Sequence, residues 1–249
     1  MHWSDEAIVL SARPHGETSA IVELLTRERG RHLGLVKGGR SRRLRPVLQP
    51  GNIVKADWRA RLSEHLGNFT VEVLESHAAR VIDDRAALAG LDTLTALARL
   101  LPERDPHEGL YKAATLVVRT FSEGDLWPAL LVRWELALLD DLGFGLDLKK
   151  CASTGQTREL VYVSPKSGKA VSREAGEPYS DKLFDLPEFL HSGMADDKVV
   201  NKGDVANGFR LTTHFFQRHV WKPRGLKPPQ SRARLIAILD ARDNGTGTQ

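Results

Sequence analysis

The hydrophobic period of this chain changes once, near Asp83-Asp84, and that change limits what it can fold into. Before it, five strand-length apolar runs follow one another at residues 7–12, 21–26, 31–36, 53–59 and 69–74. Val54, Ala56 and Trp58 alternate onto one face, and Phe69, Val71 and Val73 onto another, as half-buried strands require. Turn-forming clusters separate the runs: Arg13-Pro14-His15-Gly16, Arg29-Gly30, Lys37-Gly38-Gly39, Gln49-Pro50-Gly51 and Gly67-Asn68. Five short strands in succession suit a small closed barrel, which removes the exposed edges of an open sheet. The outline is that of an OB-fold.

Beyond Asp84, Leu88, Leu91, Leu94, Leu97, Ala98 and Leu101 recur at helical spacing, with Pro102 just past the end. A second helix is predicted over 107–121. A third starts near Pro128 and stops before Gly143, which suits a helix C-terminus. Residues 146–182 read as short strands and turns. Helical character returns at 183–191, 204–220 and 231–240, where Ser231 reads as an N-cap. The chain is therefore α+β. The expected organisation is a barrel domain over 1–80, a helical domain over 81–148 and 183–242, an insertion over 149–182, and a flexible tail over 243–249.

The net charge of +4 hides segregation. Residues 1–80 carry 13 Lys/Arg against 9 Asp/Glu, residues 81–150 carry 8 against 12, and residues 151–249 carry 15 against 11. The densest basic element is Lys37-Gly38-Gly39-Arg40-Ser41-Arg42-Arg43-Leu44-Arg45-Pro46, which holds five cations and no carboxylate. Neighbouring cations without counter-charges repel one another, so such a turn points to a polyanion. Arg27, Arg29 and Arg31 make the preceding turn basic as well, opposed there by Glu28. Phosphate contacts from Lys37, Arg40, Arg42, Arg43, Arg45, Arg27, Arg29 and Arg31 are the expectation. Trp58 and Phe69 read as barrel core rather than stacking platforms. A second basic stretch, Arg218 to Arg234, has two readings: another phosphate face, or a surface docked on the acidic middle segment.

Catalytic and metal motifs are missing from the sequence. The Lys37 turn lacks P-loop spacing, no nucleophile elbow occurs, and the histidines show no His-x-x-x-His pairing. No catalytic residue and no cofactor is expected. The one cysteine, Cys151, forms no intrachain disulfide. The N-terminus lacks a secretory pattern and no run reaches the ~18–20 apolar residues of a membrane span, so a cytoplasmic protein without a membrane partner is expected. Arg133 lies beside Trp134 on the third helix. It can snorkel or pair with Asp140 or Glu135, or it can hold a partner's terminal carboxylate at the edge of an apolar groove.

Several segments taken together resemble the RecO family of bacterial recombination mediators. They are Trp3 with Ile8-Val9-Leu10, His15-Gly16-Glu17-Thr18-Ser19, Lys37-Gly38-Gly39-Arg40-Ser41, and Leu48-Gln49-Pro50-Gly51. The later ones are Arg133-Trp134-Glu135 through Leu142-Gly143-Phe144, Cys151-Ala152, and Leu226-Lys227-Pro228 with Ser231-Arg232. The resemblance implies an N-terminal OB-fold, a helical domain and a small zinc-ribbon-like insertion. It implies binding to single- and double-stranded DNA and strand annealing in DNA repair, near the nucleoid. The partners it implies are the acidic C-terminal tail of the single-stranded-DNA-binding protein SSB, RecR, and a functional link to RecA. It favours the groove reading of Arg133, with Leu130 and Trp134 as the apolar contacts. Zinc-bearing members use two Cys pairs, whereas here Cys151 stands with Thr154, Val171 and Glu174 at the equivalent positions, so a degenerate, metal-free ribbon is expected. The rival reading is a general OB-fold RNA-binding or translation-associated module.

Overall fold

A computed structural model describes residues 1–191 and 200–245. Its compact units are 1–124 and 125–249. Unit 1 takes in the expected barrel over 1–80 together with the first two helices.

Unit 1 is built on β1 (His2–His15), β2 (Ser19–Thr26), β3 (Gly30–Val36), β4 (Ile53–Arg59) and β5 (Asn68–Glu75), closed in the order β1-β2-β3-β5-β4. Closure depends on β1. Its first half pairs antiparallel with β4, from His2↔Arg59 to Ile8↔Ile53, and its second half with β2, ending at His15↔Ser19. A register shift between Val9 and Ser11 bends the strand from one partner to the other. The remaining seam is a short parallel contact between β3 and β5 at Leu35↔Asn68. Alternation then sends Val9, Val22, Leu24, Val36, Val54, Ala56, Trp58 and Phe69 into one core. Gly34 is required there, because a Cβ would sit 2.3 Å from the Phe69 ring. Val73, expected on the face of Phe69, is exposed instead, because β5 outruns the core at that end.

Helix α1 (Arg85–Ala98) begins at Asp84, whose carboxylate accepts from the amides of Ala86 and Ala87 at 2.8 and 3.2 Å. Helix α2 (Glu108–Thr120) follows. Both are tied to the strands by charge. Glu23 on β2 is buried; it pairs with Arg31 of β3 and accepts from Arg99 Nε at 2.7 Å. Arg31 Nε also donates to the Leu101 carbonyl at 2.7 Å. On β5, Glu75 pairs with Arg119 of α2 at 2.5 Å.

Unit 2 holds α3 (Trp127–Asp141), the sheet β7-β6-β8, the single-turn α4 (Arg173–Gly176), α5 (Lys202–Phe216) and α6 (Gln230–Gly245). The strands are β6 (Leu160–Val163), β7 (Ala170–Ser172) and β8 (Phe184–Asp185). Gly143, at φ +87°, ends α3, and Phe144 donates back to the Leu139 carbonyl at 2.7 Å. The helix expected over 183–191 does not form. Phe184 and Asp185 pair with β6, and Pro187 leaves room for a 3₁₀ turn over Glu188–Leu190. Helix α6 starts at Gln230, one residue ahead of the expected Ser231 cap, and runs to Gly245. The last four residues of the expected flexible tail lie outside the described residues.

A buried ion pair joins α3 to α6. Glu135 is fully buried, and Arg232 meets it through Nε–Oε1 at 2.8 Å and Nη2–Oε2 at 2.9 Å. Thr212 donates to Glu135 at 2.5 Å, and Arg232 donates to Thr213 at 2.6 Å. Removing one partner leaves a buried charge uncompensated. Glu135→Ala or Arg232→Ala should therefore destabilise unit 2 by about 3–5 kcal/mol, and joint replacement by apolar residues should cost less. Urea denaturation followed by tryptophan fluorescence measures this, and a cost near that of a surface pair would contradict it.

Candidate nucleic-acid interface

The basic turn is an ordered part of the barrel. Gly38, at φ +67°, reverses the chain after β3. Residues 41–48 then coil, with Arg45 N–H donating to Ser41 O and Leu48 N–H to Leu44 O, both at 3.0 Å. Leu48 is buried in the barrel core, and Leu44 and Val47 pack against it. These apolar anchors hold the backbone down and leave Lys37, Arg40, Arg42, Arg43 and Arg45 on the outer side, all exposed.

Arg40 has a second task. Its Nη1 donates to the carbonyls of Gly16 and Glu17 at 2.9 and 2.8 Å, and its amide donates to Thr18 at 3.0 Å. These bonds bind the β1–β2 turn to the basic turn. A groove of about 410 Å³ results, with Arg13, Arg40 and Arg45 along it and Leu48 and Pro50 among its apolar walls. The lining contains no carboxylate, and none of these arginines makes an ion pair among the described residues. Unneutralised guanidinium groups around one concavity favour phosphate oxygens. Arg13 escaped the sequence reading because it stands apart from other cations. Its position just before the Pro14-His15-Gly16 turn, opposite β2, is the signal that could have found it.

The other expected cations separate. Arg31 is removed from the surface, since Glu23 and the Leu101 carbonyl occupy its guanidinium in a largely buried setting. Arg27 is partly neutralised by Glu108 at 3.6 Å. Arg29 is exposed, but lines a different cavity with Trp3, His32 and Arg104. Trp58 and Phe69 are core residues, as expected. The imidazole of His32 is held below its ordinary pKa by burial, against a bond to the Leu33 carbonyl that acts the other way.

In unit 2 the three residues expected to form an apolar groove part company. Trp134 is 1% exposed and faces the core with Leu138, because the stripe they share is the inward face of α3; it cannot touch a partner. Leu130 is half-buried. Arg133 is exposed and donates from Nε to the Phe189 carbonyl at 2.9 Å. An open groove of about 780 Å³ runs along α5 and α6, with Phe184, Ala206 and Ile236 on its apolar side, Arg210, Arg218 and Lys222 as cations and Asp240 as a carboxylate. Arg218 and Lys222 belong to the basic stretch read from sequence, while Arg232 of that stretch is the buried partner of Glu135.

The insertion over 149–182 places its one cysteine against a hydroxyl. The buried Cys151 faces Ser172, with Oγ at 3.4 Å and the Ser172 amide donating at 3.3 Å. Ser172, next in sequence to Val171, stands across from the thiol. A tetrahedral zinc site takes four thiolate or imidazole ligands, and among the described residues no three His, Cys, Asp or Glu side chains gather to hold a metal. No helix among them is long and apolar enough to cross a membrane.

Comparison with known proteins adds to this geometry. Two family models match, "Recombination protein O N terminal" over residues 1–77 and "Recombination protein O C terminal" over 82–228. The chain is 56% identical over 240 residues to the DNA repair protein RecO of Methylobacterium nodulans, covering 96% of this chain and 98% of that one. It is 54% identical over 241 residues to the protein of the same name from Mesorhizobium japonicum, covering 96% and 94%. With that from Brucella abortus it shares 51% over 236 residues, covering 95% of each.

Replacing Arg42 and Arg43 together by Gln should reduce the salt dependence of oligonucleotide binding by about one to two units of slope, at ~0.7–0.9 per lost phosphate contact. Arg31→Gln should leave the slope unchanged and lower the stability of unit 1. Fluorescence anisotropy titrations across a salt series measure both. An unchanged slope in the Arg42/Arg43 variant would remove that turn from the interface.

Proposed function

This chain belongs to the RecO family, and from that membership and the geometry of its barrel we propose that it is a DNA repair protein that holds single strands and pairs complementary ones. The observation that carries the proposal is the carboxylate-free groove of Arg13, Arg40 and Arg45, flanked by Arg42 and Arg43. Two complementary strands repel through their phosphates. A protein that neutralises those phosphates releases condensed counterions and lowers the barrier to pairing. No bond is made or broken, so the activity calls for no catalytic residue. Phosphate contacts position the strand without reading its sequence, which suits a protein that must act wherever a gap occurs, in the cytoplasm at the nucleoid.

Recruitment is the second part of the proposal. The SSB tail is acidic and apolar, and both unit 2 surfaces offer cations beside apolar walls. Arg133 with Leu130 is the surface expected from sequence. The groove of Phe184, Ile236, Arg210, Arg218 and Lys222 is a second one, with three cations against the single carboxylate of Asp240 to receive a carboxylate-ended apolar peptide. Acting with RecR, a protein so recruited helps load RecA on gapped DNA.

The test mixes complementary single strands coated with SSB, adds this protein, and follows duplex formation. Acceleration is expected with intact SSB, with a clear loss when the SSB tail is deleted and a second loss when Arg210 and Arg218 are replaced by Glu. Binding to RNA in preference to DNA, with no response to the SSB tail, would overturn the proposal in favour of a general RNA-binding module.

A further inference from the structure

The barrel has a second cavity, near the start of β1, and its chemistry differs from that of the basic groove. It holds about 470 Å³, and its lining includes Trp3, His32, Trp58, Arg29 and Arg104. Trp3 stacks on Trp58 with ring centroids 5.6 Å apart and planes at 17°. His32 meets both indoles edge-on at 5.1 and 5.0 Å. Trp58 is 1% exposed and closes the barrel core beneath; Trp3 above it is only partly buried. His32 is 4% exposed, and its Nδ1 lies 3.1 Å from the Leu33 carbonyl; in the neutral tautomer whose Nδ1–H donates there, Nε2 is left as an acceptor.

Of the cations at this cavity, Arg104 is held in place. Arg104 sits at φ +63°, a conformation that non-glycine residues rarely adopt. Its amide donates to Arg31 O at 2.8 Å, and its Nη2 to the carbonyls of Glu64 and His65, both at 3.1 Å. Arg29 is exposed on the other side. Glu28 is the carboxylate of the lining. A flat aromatic wall, a hydrogen-bond acceptor and flanking guanidinium groups match one nucleotide: a π-face to stack, an edge to donate, and phosphates on either side.

We propose that this cavity takes a single unstacked base of a DNA strand, stacked against Trp3 beside His32, with Arg29 and Arg104 on the adjoining phosphates. The inference rests on the single-strand reading above and deepens it. Trp3 and Arg13 lie ten residues apart on β1, about 33 Å of strand at ~3.3 Å per residue. A strand that occupies both the basic groove and this cavity is thus gripped by phosphate at one end of the barrel and by a base at the other. Duplex DNA, whose bases are stacked and paired, can use the groove alone.

The experiment compares oligothymidylate of about ten nucleotides with an abasic strand of the same phosphate count, on the full chain, in the wild type and in Trp3→Ala and Trp3→Phe. Wild type should prefer the thymidine strand. Trp3→Ala should lose roughly five- to hundredfold for that strand and little for the abasic one, and Trp3→Phe should recover most of the loss. Because Trp3 also packs on Trp58, a photo-crosslinking arm uses the unmodified protein. A 5-iododeoxyuridine strand should crosslink to the peptides bearing Trp3 or His32. Equal affinity of wild type for both strands, equal losses in Trp3→Ala, or crosslinks confined to other peptides would overturn the base site while leaving the phosphate groove standing. Binding of neither strand would remove both readings.

Discussion

A buried carboxylate, Glu23, organises unit 1. It lies on β2 with Arg31 of β3 on one oxygen and Arg99, just past α1, on the other. A lone buried carboxylate would be costly, so two guanidinium groups are drawn in to meet it. That demand fastens the end of α1 to the strands. It also sorts the cations. Arg31 and Arg99, which satisfy Glu23, are structural, whereas Arg13, Arg40 and Arg45 line a groove without a carboxylate.

Barrel closure decides where the remaining cations stand. Because β1 pairs with β4 along its first half and β2 along its second, its ends fall at opposite ends of the barrel. One end brings Arg13 beside the basic turn, where Arg40 fixes two turns together through backbone carbonyls. The other brings Trp3 onto Trp58. The basic groove and the aromatic cavity are thus separated along one strand.

The fold was legible in the sequence where the hydrophobic period was strong. The strand Ile53–Arg59 matches its alternating run, and the C-terminal ends of β2 and β3 coincide with those read from sequence. The start of β1 was missed because His2 to Glu6 is polar apart from Trp3; that edge is held by backbone pairing with β4 rather than by burial. The 183–191 segment misled because its apolar spacing suits a helix, while Pro187 and the open edge of β6 favour a short strand. The basic turn was legible as a charge cluster. Sequence could not show that Arg31, three positions from Glu28, would turn inward to Glu23. Nor could it show that the apolar stripe of Trp134 and Leu138 faces the core.

The account is tested most directly by hydrogen–deuterium exchange of the full chain with and without a saturating single strand. It predicts protection in two separated parts of unit 1, around residues 13–18 with 38–48 and around residues 2–4 with 30–33. Protection restricted to unit 2, or none in the basic turn, would contradict the claim that the barrel is the DNA-binding element.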